Sequence, residues 1–326
     1  MKKRIFIAWC VLLAASAWAE ISGSFIQLHR GKTERTVEEW RADFKGIKAL
    51  GGTMLIVQWV AEEPVLFFEP DNRNSLPEMD EAYPVLERIF EAAESEGMEL
   101  ILGLQHHPEY WDQIKGREKV IRDFFRIRMA RNHRLQQALL HAFGDRSTWT
   151  GYYIPDEIDD FTWRGPSMAA LMRDYLQQMT AILRENDPGR SVSVSAFFRG
   201  RTAPDYVVEN FAAILADTGI DYLMLQDGVG VGEPPLAYVH LFYQAFADHW
   251  GSDQQAEHLP LPALWGVIET FEQVSGPDQP FVAVGASADR IQEQISVAQP
   301  FFDRLILFTF DDYIDLANSA QQRLLP

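Results

Sequence analysis

The sequence predicts a single α/β domain of the (β/α)8-barrel class, and three features carry that prediction. Short, almost wholly apolar runs recur along the chain. Longer amphipathic stretches separate them. Polar and acidic side chains gather where the apolar runs stop, which is where such a barrel keeps its working face.

The apolar runs fall at 21–28, 53–60, 100–105, 151–154, 192–197, 222–226, 264–268 and 305–310, eight in all. Each is too short for a helix and close to continuously apolar, as strands buried on both faces are. Between the first two, Thr36-Val-Glu-Glu39 is a capping box that opens a helix running to Leu50, where Gly51-Gly52 ends it. Further helices read at about 82–95, 117–142, 167–185, 204–216, 235–249 and 286–302. A doubly wound open sheet is the competing arrangement. It calls for a glycine-rich phosphate loop after the first strand, and His29-Arg30-Gly31-Lys32 is not one.

Ahead of the first run, residues 1–19 have the order of an export signal. Lys2, Lys3 and Arg4 precede an apolar stretch, and Ala17-Trp18-Ala19 forms a small-x-small cleavage site. The expected mature chain is therefore 20–326, one barrel domain, exported to the periplasm or secreted. Its only cysteine, Cys10, leaves with the signal, so no disulfide or thiolate chemistry is expected. Losing three cations takes the formal charge from −18 to −21. A surface of that sign repels nucleic acid and anionic membranes, and no later stretch is long enough to insert stably in a bilayer.

The strand ends supply the candidate site. In chain order they present Gln27 and His29, Gln58 and Trp59, Gln105 with His106 and His107, and Asp156 with Glu157. Arg199, Gln226 with Asp227, Glu269 with Glu272, and Asp311 with Asp312 follow. Nearly every strand thus ends in a group able to hydrogen-bond a hydroxyl, which points to a carbohydrate substrate.

Glu157 and Glu269 carry the sharpest expectation. They end the fourth and seventh runs, nearly opposite each other across the barrel mouth. One protonated and one ionised carboxyl flanking a glycosidic bond can cleave it. A separation of about 5 to 5.5 Å suits retention, and about 6.5 to 9.5 Å suits inversion. Glu272 is the rival to Glu269, because alternation cannot fix which side chain faces inward once a strand has ended. Asp156 is expected to orient Glu157 or touch sugar, while Asp159 and Asp160 cap the next segment or stay solvated. Asp227 either forms an Asx-turn, binds a hydroxyl, or raises a neighbouring carboxyl by like-charge repulsion.

Other chemistries find less support. Glycines 228, 230 and 232 miss the dinucleotide spacing, since Glu233 stands where a third glycine belongs; they suit a mobile or tightly turning loop. His106 and His107 are adjacent rather than helically spaced, so no metal or other cofactor is expected. One of them is expected to reach substrate and the other the loop backbone. A metal enzyme built on Asp227, Glu269, Asp311 and His106 is the minor alternative. No serine stands in a nucleophile elbow. Among aromatics near strand ends (Trp59, Tyr110, Trp111, Trp163, Phe198 and Tyr313), Trp111 and Trp163 are the favoured sugar platforms.

Several of these segments together resemble the domain-of-unknown-function 4434 family of glycoside-hydrolase-like barrels. They are Phe25-Ile-Gln27, Gln58-Trp59, Gly151-Tyr-Tyr-Ile-Pro-Asp-Glu157, Gln226-Asp-Gly-Val-Gly230 and Trp265-Gly-Val-Ile-Glu-Thr-Phe-Glu272. A wider similarity, to retaining glycosidases with an acid/base after the fourth strand and a nucleophile ending the seventh, implies those roles for Glu157 and Glu269. Such enzymes usually have Asn before the acid/base; here Asp156 stands there. A non-catalytic carbohydrate-binding protein on the same scaffold is the alternative expectation.

Overall fold

The computed structural model describes residues 21–250, 260–276, 279–318 and 321–324. The expected export signal at 1–19 lies outside them. Eight parallel strands close into a barrel: β1 (Ile21–Ile26), β2 (Met54–Val57), β3 (Glu99–Gly103), β4 (Trp149–Asp159), β5 (Ser191–Phe197), β6 (Tyr222–Gln226), β7 (Ala263–Glu269) and β8 (Leu305–Phe308). Seven helices alternate with them: α1 (Val37–Ala49), α2 (Val85–Glu96), α3 (Glu118–Phe143), α4 (Pro166–Asn186), α5 (Pro204–Leu215), α6 (Leu236–His249) and α7 (Ala288–Ala298). After β8 there is one helical turn, Phe310–Tyr313. The fold is the expected (β/α)8 barrel.

Local chemistry accounts for the elements. The Thr36 hydroxyl accepts from the Glu39 amide at 3.2 Å while the Glu39 carboxylate accepts from the Thr36 amide at 2.7 Å. That capping box starts α1 where the sequence placed it. Along β5, Val192, Val194 and Ala196 face the helices, while Ser193 and Ser195 turn to the other face, as period-two alternation requires. The lumen is filled by Phe25, Ile56, Ile101, Tyr153, Met224, Trp265 and their neighbours. It is a packed core, and function belongs to its rim.

One strand departs from expectation. The apolar run of β4 ends at Ile154, yet the strand continues through Pro155 to Asp159. Ile154 pairs with Val194 and Ile158 with Ala196, so four steps along β4 match two along β5. Pro155 has no N–H for the ladder, and a bulge is where a sheet tolerates proline. The bulge sends Asp156 and Glu157 to different surroundings.

Two small additions crown the barrel. A four-stranded patch combines Ala61–Glu62, Val65–Leu66, Glu81–Ala82 and Gln105–His106. An antiparallel hairpin, Phe271–Gln273 with Ala283–Gly285, follows β7 directly. Among the described residues no helix is long and apolar enough to cross a membrane.

Candidate active site

A cleft of about 900 Å³ opens over the C-terminal ends of the strands. Glu157 and Glu269 both line it, one from β4 and one from β7. Neither belongs to an ion pair among the described residues. The two carboxyls are held quite differently.

Glu157 hangs from the β4 bulge. Its Oε1 accepts from Gln226 Nε2 at 2.7 Å and from Ser195 Oγ at 3.2 Å. Ser195 in turn accepts from Gln226 at 3.0 Å and meets the Tyr153 hydroxyl at 2.7 Å. The second oxygen of Glu157 takes no hydrogen bond from a described residue, so it is free to meet substrate. Its backbone carbonyl accepts from Tyr110 Oη at 2.8 Å, which fixes the main chain. Burial is the largest influence on this carboxyl and raises its pKa, with the Gln226 and Ser195 bonds pulling the other way.

Glu269 is cradled by backbone. Its Oε2 accepts from the Gly230 amide at 2.6 Å, and the Val231 amide also supports the charge. A Cβ at position 230 would stand 2.8 Å from that oxygen and 2.7 Å from the Phe271 ring. Gly228 and Gly232 adopt positive φ of 68° and 76°, which turns the loop tightly enough to aim its amides. The three glycines therefore make a turning loop around a carboxylate.

Asp227 fixes this cradle from behind. Its Oδ1 accepts from Val229 N at 3.1 Å, an Asx-turn, and from Glu269 N at 3.4 Å. Gln294 donates to its Oδ2 at 2.6 Å and to the Glu269 carbonyl at 3.1 Å. Asp227 is fully buried, so it organises the loop and does not line the cleft. Burial pushes the pKa of Glu269 up, and the charges of Asp227 and Glu157 push the same way. A proton on Glu157 removes one of those pushes. Arg290 donates to the carbonyls of Glu269 and Phe271, and its charge acts on Asp227 and Glu269.

The other expected residues divide into two groups. Gln27, Gln58, Trp59, His106, Trp111, Arg199 and Gln226 line the cleft. Gln58 is buried, and its side-chain carbonyl has no partner among the described residues. His106 stacks on Trp59 at 4.4 Å, and burial lowers its pKa to about 4, so it is neutral at physiological pH. His107 Nδ1 instead accepts from the Glu109 amide at 3.2 Å, serving the loop.

Gln105, Asp156, Glu272 and Asp311 are not in the cleft wall. Asp156 does not touch the cleft because Arg128 binds it in the wall of the fold, with guanidinium contacts of 2.8 and 3.0 Å, and the Tyr175 hydroxyl donates to it as well. Gln105 is buried, its amide bound to Asn132 Oδ1 at 3.0 Å and its carbonyl to Arg128 at 2.6 Å. Asp311 is tied to Lys32 at 2.7 Å and does not line the cleft. Glu272 sits exposed in the hairpin, opposite Val284, which leaves Glu269 as the inward carboxylate of β7. Among the described residues no group of three or more His, Cys, Asp or Glu could hold a metal ion.

Asp159 and Asp160 are buried rather than solvated. Asp159 accepts from the amides of Phe161 and Thr162, and Asp160 accepts from Arg199 N at 3.2 Å. Trp163 is fully buried against Phe125 and is no sugar platform; Phe198 and Tyr110 are core as well. Trp111 does line the cleft, edge-on to Phe197 at 5.6 Å. Sequence reasoning missed Phe197, Arg201, Phe271, Gln273, Phe281 and Phe308 in the wall. It also missed Ser195, which the alternation Ser191-Val-Ser-Val-Ser195 placed on the same face as Ser193.

The family model described as Domain of unknown function (DUF4434) matches residues 21–321. The chain belongs to that family. Among curated proteins, "Uncharacterized protein YbcH" of Escherichia coli (strain K12) is 26% identical to this chain over 283 residues, 87% of each chain. Among solved structures, a "putative alpha-L-fucosidase" from Bacteroides thetaiotaomicron superposes with a TM-score of 0.71 at 16% identity, covering 99% of this chain and 96% of that one. The endo-1,4-beta-mannanase of Rhizomucor miehei gives 0.57 at 13% identity, with 94% of each chain covered. This DUF4434 chain thus shares its (β/α)8-barrel fold with those two structures. At such identities the likeness is one of fold.

Proposed function

We propose that this protein hydrolyses glycosidic bonds of an oligosaccharide or polysaccharide, outside the cytoplasm, with Glu157 as acid/base and Glu269 as nucleophile. The observation that carries this reading is the pairing of two unlike carboxyls in one cleft. Burial and the charges of Asp227 and Glu157 push the Glu269 pKa up to about 8, while backbone N–H donors pull the other way and hold the carboxylate in place. Glu157 is buried, which favours its protonated form, and keeps one oxygen free. A carboxyl with one oxygen free to pass a proton and a carboxylate fixed in place by backbone amides are the two parts a double displacement needs.

In the first step Glu157 gives its proton to the glycosidic oxygen while Glu269 attacks the anomeric carbon, forming a glycosyl ester and releasing the leaving sugar. In the second, Glu157 takes a proton from water, and the resulting nucleophile breaks the ester with net retention. Neutral His106, Gln27, Gln58 and Arg199 would bind sugar hydroxyls, and Trp59 and Trp111 would face its rings. Two of the proteins that share this fold are named as a "putative alpha-L-fucosidase" and an endo-1,4-beta-mannanase, which is in keeping with this reading.

The direct test is release of reducing ends from a polysaccharide panel by the wild type, compared with Glu157→Gln and Glu269→Gln. Tight glycan binding with no release from any member would favour a non-catalytic carbohydrate-binding protein instead.

A further inference from the structure

The hairpin after β7 is an addition that closing the barrel does not require. It carries Val274, Phe281, Val282 and Val284, four of the ten large hydrophobic side chains exposed among the described residues. Concentrated exposed apolar surface marks a contact site. Here the surface is continuous with the cleft, because Phe271, Gln273, Ser275 and Phe281 all line it.

Phe281 is 56% exposed yet anchored, meeting the Phe271 ring edge-on at 5.6 Å. Phe271 leans in turn on Tyr313 at 5.5 Å. The hairpin is also fixed to the glycine cradle, since Gln273 N donates to the Gly230 carbonyl at 2.8 Å. Its position relative to Glu269 is therefore set by the fold. Every hairpin residue in the cleft wall is uncharged, whereas the loops after β5 and β6 bring Arg199, Arg201 and Glu233 to it. An aromatic ring beside an amide and a hydroxyl offers a stacking face and hydrogen bonds without an ion. That chemistry matches an uncharged sugar.

We propose that this hairpin is a second sugar platform, taking uncharged rings of a glycan chain that continues past Glu269. The substrate is then an extended chain rather than a lone terminal sugar. This inference rests on the cleft being a glycan site, but it does not require turnover.

The test is calorimetric titration of Glu157→Gln protein with β-1,4-linked oligosaccharides of glucose, mannose and N-acetylglucosamine, from disaccharide to hexasaccharide. Affinity climbs with ring number in at least one series. Adding Phe281→Ala weakens the longest member about 10-fold and leaves the disaccharide unchanged, as loss of one stacking contact implies. Phe161→Ala, an exposed ring outside the cleft wall, changes nothing. Affinity independent of length, no binding by any hexasaccharide, or a climb that survives Phe281→Ala overturns the proposal. Length-dependent binding without wild-type cleavage would sink the hydrolase reading alone; cleavage with no role for Phe281 would sink this one alone.

Discussion

The Gly230 amide donates to Glu269 Oε2 at 2.6 Å, and any side chain at position 230 would crowd that same oxygen. The glycine is required by close approach to a carboxylate, and a rearranged loop cannot both admit a Cβ and keep the bond. Gly230→Ala is expected to cost about 1 to 3 kcal/mol of stability, as overpacked sites do. It should also reduce turnover more than it raises KM, because it displaces the carboxylate proposed to attack. Chemical denaturation and steady-state kinetics on the same preparation check both; full activity in a protein of unchanged stability would remove the cradle from the account.

Asp227 gives the pH dependence its sign. Its negative charge raises the pKa of Glu269, so replacing it by the neutral isostere lowers that pKa. Attack needs Glu269 ionised, so Asp227→Asn should move the acidic limb of kcat/KM toward lower pH. The Asn can keep its bonds to the Val229 and Glu269 amides, and the free carbonyl of Gln294 can take up the new N–H after an amide turn. A limb that stays in place would show that Asp227 acts only as a scaffold.

Stability should follow the same groups. Glu157, Asp227 and Glu269 all have pKa values raised by burial above those of the unfolded chain. The folded state then binds more protons than the unfolded state as pH rises from the ordinary carboxylate range through the raised values. Their contribution is fully present below that window and is lost across it. The melting temperature should accordingly fall from mildly acidic to mildly alkaline pH, and Asp227→Asn should flatten the slope. A wild-type melting temperature that rises over this range contradicts the prediction.

Arg128 and Asp156 lock the bulge that presents Glu157, and both side chains are almost completely buried. Arg128→Met removes one partner and leaves a buried carboxylate. About 3 to 5 kcal/mol should be lost, as when other buried pairs are broken one-sidedly. Arg128→Met combined with Asp156→Leu should recover part of that loss, because no unpaired charge remains. Urea midpoints compare the three proteins, and a single variant as stable as wild type would contradict the role of the pair.

The barrel was readable in the chain because each strand contains a short, mostly apolar run, and the two carboxyls were readable because Glu269 follows such a run directly and Glu157 comes three residues after one. What escaped depended on contacts distant in sequence. The continuation of β4 beyond Pro155 needs Arg128 on α3 to hold Asp156, and no local pattern announces that bond. The Gly228–Gly232 loop acquires its purpose only from a carboxylate some forty positions on, as Gly230 and Glu269 are 39 apart. Trp163, flanked by polar residues, reads as a loop aromatic but is buried beside Phe125. The hairpin lies between a predicted strand and a predicted helix, where a short two-stranded insertion leaves little periodic signal.

The measurement closest to the centre of this account is hydrolysis itself, followed by proton NMR of the first anomer released from whichever panel glycan is cut. Wild-type protein should liberate the anomer of the parent linkage, and Glu157→Gln or Glu269→Gln should each slow release by at least about 100-fold. A product of inverted configuration would deny Glu269 the nucleophile's part, and undiminished cleavage by either variant would deny the pair any chemistry at all.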